Sequence, residues 1–182
     1  MLLNPFRFGG GGGPPPAASR YLRMKITNWV FNGGANVSDL GDVRVQELQF
    51  FDGATQYPAV PMTTNTAPSP LVASSSGALT GFGDLDPWNA FNHSTAGNQW
   101  MGDGTISKYL QIDLGSGNSM APTSVKVAPD NGVNVGGGYY ITGFQILGSN
   151  TGSFTGEEVN YLTVTGLVQA DWTANTLKTF VL

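Results

Sequence analysis

The feature that most constrains this chain is an alternation of period two that begins at Arg20. From Tyr21 to Asn28, Leu22, Met24 and Ile26 alternate with Arg23, Lys25 and Thr27. Side chains of an extended strand point to opposite faces in turn, so this spacing makes one apolar face and one polar face. The pattern recurs at Tyr109 to Leu114, where Leu110, Ile112 and Leu114 alternate with Tyr109, Gln111 and Asp113. Tyr139 to Leu147, Tyr161 to Thr165 and Leu177 to Leu182 supply further strands, separated by Gly, Pro, Asn and Ser clusters. Val43 and Val45 keep the alternation, but Leu48 and Phe50 shift it by one residue, which predicts a β-bulge near Glu47. The one expected helical turn runs from Pro87 to Phe91, with Asp86 in the capping position and Pro87 at the first helical position. Many short strands without long helices predict an all-β, antiparallel β-sandwich.

Composition agrees. Only 11% of the 182 residues are charged, against about 25% in an average soluble protein. Exposed helix faces need such residues, whereas strands and polar turns do not. The net charge of −4 argues against nucleic-acid binding, which relies on clustered Lys and Arg. With no Cys there are no disulfides, thiolate nucleophiles or Cys-type zinc sites.

The N-terminus is different in kind. Five glycines at Gly9 to Gly13 and three prolines at Pro14 to Pro16 follow an apolar octet with one positive charge. The glycines are flexible and the prolines a stiff, extended spacer. Residues 1–19 form an arm that reaches roughly 60 Å if extended, and residues 20–182 form the sandwich. Leu2, Leu3, Phe6 and Phe8 each gain about 1.5–3 kcal/mol on burial, so with Arg7 they are the candidate residues for docking to a partner. The octet is too short for a signal-peptide core, and no run approaches a membrane span.

Several segments resemble the discoidin, or coagulation-factor C-type, domain, one of the galactose-binding-like jelly rolls. They are Pro87-Trp88-Asn89-Ala90-Phe91-Asn92, Trp100, and Tyr109-Leu110-Gln111-Ile112-Asp113-Leu114-Gly115. Tyr140 to Gly152 is similar to that family's late strand and its Ser-Asn-Asp-Gly turn. Arg20 to Thr27 and Val45 to Phe50 are similar to the first strands of versions found in bacteriophage structural proteins, and Trp172 with Phe180-Val181-Leu182 fits the last hairpin. The resemblance implies a jelly-roll binding module for glycans, lipids or proteins. Asn92-His93 stands where the family often has Asp-Gly, and Thr151 replaces the turn's Asp. Both changes remove carboxylates that a family-type calcium site would use.

For function, these readings imply a non-enzymatic bacteriophage virion protein, tail-associated and made in the host cytoplasm. It would dock by its arm to other virion proteins as a symmetric oligomer. Alternatives are a capsid decoration or head-fibre protein and a free-standing carbohydrate-binding module. The single histidine, His93, and the lack of a Gly-x-Ser-x-Gly or Gly-Lys-Ser/Thr motif leave no recognisable catalytic constellation. Trp29, Phe31, Trp88 and His93 are candidate glycan contacts, Trp29 and Phe31 because they enter a Gly-rich loop; core or intersubunit packing is the competing account. No cofactor is expected, apart from a calcium candidate at Asp84, Asp86 and Asp103 that ordinary turn chemistry explains equally well.

Overall fold

The computed structural model describes residues 16–30, 36–37, 42–77, 85–102, 108–129 and 139–182. The expected docking residues Leu2, Leu3, Phe6, Arg7 and Phe8 lie outside them, as do Phe31, Asp84 and Asp103.

The chain is an all-β sandwich of antiparallel sheets. Its strands are β1 (Tyr21–Val30), β2 (Asn36–Val37), β3 (Val43–Val45), β4 (Glu47–Asp52), β5 (Thr55–Tyr57) and β6 (Val72–Ser75). They continue with β7 (Trp100–Gly102), β8 (Tyr109–Asp113), β9 (Ser124–Ala128), β10 (Tyr140–Ser149), β11 (Val159–Val164) and β12 (Lys178–Val181). Among the described residues, β11-β10-β1-β8-β6 form one sheet, with β2 also paired to β1. A second sheet is ordered β12-β9-β4-β5, and β3 pairs with β7. A 3₁₀ turn covers Pro87–Phe91, as expected, and a second covers Gln169–Asp171.

The alternation read from the sequence sets the core. Leu22, Met24 and Ile26 of β1, Leu110 and Ile112 of β8, and Phe144 and Ile146 of β10 are buried together. Leu48 and Phe50 of β4 and Val125 and Val127 of β9 join the same cluster from the second sheet. Each such side chain contributes about 1.5–3 kcal/mol. Trp172 closes the sandwich: its indole N–H donates to the Ile141 carbonyl at 2.9 Å, and it lies 6.1 Å from the Phe180 ring. Phe180 in turn meets Phe144 edge-to-face at 5.0 Å, joining β12 to β10 across the layers.

Three local expectations are corrected. The phase change near Glu47 is a change of sheet, not a bulge. Val43 to Val45 pairs with β7, whereas Glu47 onward pairs with β9 and β5. The closing strand does not complete a hairpin with its predecessor, because β11 pairs with β10 and β12 with β9. Asp86 does precede the 3₁₀ turn, but its side chain makes no capping bond; its carbonyl accepts from the Asn89 amide at 3.1 Å.

The root of the arm is firmly held. Ser19 exchanges backbone hydrogen bonds with Met120 at 2.9 and 3.0 Å. The Tyr161 hydroxyl donates to the Ala17 carbonyl and, at 2.8 Å, to Ser19 Oγ. Asn150 clasps both sides of the same stretch, donating to the Ala18 carbonyl at 3.3 Å and accepting from the Arg20 amide at 3.0 Å.

Candidate functional site

The residues proposed from sequence as glycan contacts are not gathered together. Trp29 is a core residue, 1% exposed. Strict alternation from Ile26 would turn Trp29 away from the core, but register shifts on either side of Asn28 rotate the end of β1 and bring it inward. Trp88 is half-buried, packs against the core, and donates its backbone amide to Asn65 Oδ1 at 3.1 Å. His93 has a left-handed backbone (φ 61°), and its Nε2 lies 2.9 Å from the Gln56 side-chain amide and 3.0 Å from the Pro58 carbonyl. Asp86 is exposed. Among the described residues no group of three or more His, Asp or Glu side chains is arranged to hold a metal ion.

A different site forms on the outer face of the larger sheet. Arg23 and Lys25 belong to the polar face of β1. The register places Arg23 opposite Gln111 and Lys25 opposite Tyr109 on β8. Arg23 Nε and Nη2 both donate to Gln111 Oε1, at 3.0 and 2.7 Å. The guanidinium is covered on two sides, 3.8 Å from the centre of the Tyr109 ring and 3.7 Å from that of Phe154. Such stacking is favourable because the ring face carries negative charge density. Arg23, Tyr109 and Phe154, with Lys25, Leu147 and Glu158, line a cleft of about 170 Å³. Burial pulls the Arg23 guanidinium below its ordinary pKa, opposed by Tyr109 and Glu158.

Phe154 reaches this position because Glu157 organises the β10–β11 turn. The Glu157 carboxylate accepts from Ser149 Oγ at 2.6 Å, Thr151 Oγ1 at 2.9 Å and the Phe154 amide at 3.1 Å. The Ser149 hydroxyl oxygen also accepts from the Thr151 and Gly152 amides, at 3.1 and 2.7 Å. Hydrogen bonds to its charged form, from Ser149 first, hold Glu157 below the usual carboxylate range against partial desolvation. Gly152 (φ 79°) crosses close to the Tyr21 ring, where only glycine is unstrained. Phe154 itself adopts φ 52°, a conformation that costs a non-glycine residue about 1–3 kcal/mol.

A larger groove, about 260 Å³, lies between Tyr57, Val60, Pro68, Pro70, Leu71 and Leu114. Its lining carries no charged side chain, so it lacks the oriented charges that would fix a polar ligand. The Arg23 cleft combines two aromatic rings with convergent polar groups, which is what a small polar ligand requires. Comparison with family models, curated proteins and solved structures gives no match for this chain.

Proposed function

We propose that this chain is a non-enzymatic binding domain that takes a saccharide in the cleft over Arg23. The observation that carries the reading is the way the cleft is assembled. A strained Phe154 is held over a half-buried guanidinium whose fixed partner is the neutral Gln111 amide. Glycine would close the same turn without strain, and desolvating a cation costs free energy that a neutral partner only partly offsets. Sugars suit such a place, because their C–H surfaces pack on aromatic rings while their hydroxyls take fixed polar groups.

The resemblance of residues 20–182 to discoidin-like jelly rolls supports a binding role. The similarity of the first strands to versions in bacteriophage structural proteins supports a place on the virion, on the tail, with residues 1–19 docking to another virion protein. Binding of the purified protein to an array of bacterial surface polysaccharides tests the first part. At least one polysaccharide class should be retained, and Phe154→Gly should abolish retention without unfolding the domain. No retention anywhere on the array would overturn the reading. Deleting residues 1–19 should prevent incorporation into particles; unchanged incorporation would remove the docking role of the arm.

A further inference from the structure

We infer that the cleft selects saccharides that carry a carboxylate, an inference that rests on the cleft being the saccharide site. The charge pattern of the sheet points there. Three cations of the described residues are matched by acids: Arg20 by Asp113 at 2.7 Å, Arg44 by Asp42 at 2.7 Å and Lys178 by Asp171 at 3.0 Å. Arg23 is treated differently, since its two fixed hydrogen bonds go to a neutral amide oxygen. Lys25, exposed on the same strand face, stands one pleat repeat further along, about 7 Å away. The cleft lining therefore holds two cations, Arg23 and Lys25, against one acid, Glu158, in a chain whose net charge is −4.

Geometry narrows the ligand further. Two rings lie against the guanidinium, at 3.7 and 3.8 Å, which favours approach of an anion toward its N–H edge. Nε and one N–H of Nη2 are committed to Gln111, which leaves the Nη1 hydrogens and the second Nη2–H to meet it. A planar carboxylate accepts in-plane donors from a guanidinium well, and the Lys25 ammonium adds a second, flexible charge. At about 170 Å³ the cleft is smaller than the roughly 300 Å³ of a typical drug-sized site. One sugar residue seats there, with the rest of the polymer running along the sheet. A hexuronate or sialate residue has the needed combination of a carboxylate, apolar C–H surface and hydroxyls.

The test uses the full-length protein and a panel of polygalacturonate, alginate, hyaluronate and polysialate, each beside its carboxyl-reduced counterpart, read by titration calorimetry. At least one acidic member should bind, and its reduced form should bind at least about tenfold more weakly, the worth of one charged hydrogen bond. Added salt should weaken the acidic complex, because the site is open to solvent. Arg23→Gln should erase the difference between acidic and reduced ligands, and Lys25→Gln should narrow it about threefold. Lys25 is exposed on the sheet surface, so that variant reports on binding even if Arg23→Gln loosens the turn. Equal binding of acidic and reduced polymers would overturn the carboxylate preference and leave the saccharide site standing. Binding of no polysaccharide, acidic or neutral, here or on the array, would overturn both.

Discussion

Two loops of this sandwich are each organised around one glutamate, and the pKa values of the two acids are shifted in opposite directions. Glu157 gathers hydroxyl and amide donors in the exposed turn between β10 and β11, and its pKa is lowered. Glu47, at the start of β4, is fully buried beneath the segment Asn92 to Ser94. It too accepts hydrogen bonds, from the Ser94 amide at 3.2 Å and Gln49 Nε2 at 3.3 Å, with the Asn92 and His93 amides also favouring its charge. Yet desolvation outweighs them all, and burial pushes its pKa up to about 8. Donor count alone does not decide the charge of a carboxyl; access to water does. At neutral pH Glu157 is an anion that anchors a turn, while Glu47 is mostly a neutral acid filling a polar niche.

The largest expected effect follows from Glu47. Its folded pKa is raised from 4.5 to about 8, so the native state binds the proton more tightly than the unfolded chain does. That stabilisation is complete below about pH 4.5 and is lost as pH rises through 8, a change on the order of a few kcal/mol. Urea unfolding at pH 5, 7 and 9 should show a steady fall in stability. Glu47→Gln, which resembles the neutral acid in shape, should flatten the fall and be the more stable protein at pH 9. A wild-type profile that is level between pH 5 and 9 would mean that water reaches Glu47, and the contrast between the two loops would disappear.

Glu157 predicts the reverse dependence on a local scale. Its support for the turn is present above the ordinary carboxylate range and is lost as pH falls through its depressed folded pKa. Acidification should therefore loosen the β10–β11 turn while Glu47 holds the loop at Asn92 to Ser94 more firmly. Hydrogen exchange at the Gly152 and Phe154 amides should speed up in Glu157→Gln, with the core strands unchanged. Protection of those amides equal to wild type would show that the carboxylate is not what organises the turn. The smallest stability change is expected for Phe154→Gly. Relief of about 1 kcal/mol of backbone strain nearly cancels a lost ring-to-guanidinium contact of about 0.5–1 kcal/mol. A melting temperature within a few degrees of wild type, with saccharide binding gone, is the expected pair of results; a large drop would make the stack a structural support instead.

Much of the fold was legible because it follows from local spacing. The alternating residues of β1 and β8 announce both the strands and the faces that pack, β10 is legible as a strand but is buried on both faces, and Pro87 marks its 3₁₀ turn. Short strands such as β5 and β7, three residues each, carry too little period to be recognised. Val125-Lys126-Val127 of β9 has the right alternation, but beside Pro122 and Pro129 it reads as part of a loop. Trp29 is a candidate contact from its place before a Gly-rich loop, and of the two accounts core packing is the one found, because an irregularity at Asn28, invisible in the sequence, reverses the face it occupies. The cleft was hidden for a different reason. Arg23 and Lys25 read as an ordinary solvated strand face until β8, 88 residues away at Gln111, is laid beside it. Phe154 gives no period at all; its signal is an aromatic residue inside a polar turn closed by Glu157.

Asn150 holds the backbone at Ala18 and Arg20 while sitting in the turn that carries Phe154. Hence a pull applied through the N-terminal segment is shared between strand β11, where Tyr161 holds the Ala17 carbonyl, and that turn, where Asn150 holds the Ala18 carbonyl. The first contacts to give under such a load would be these side-chain hydrogen bonds at Ala17 and Ala18, not the hydrophobic core.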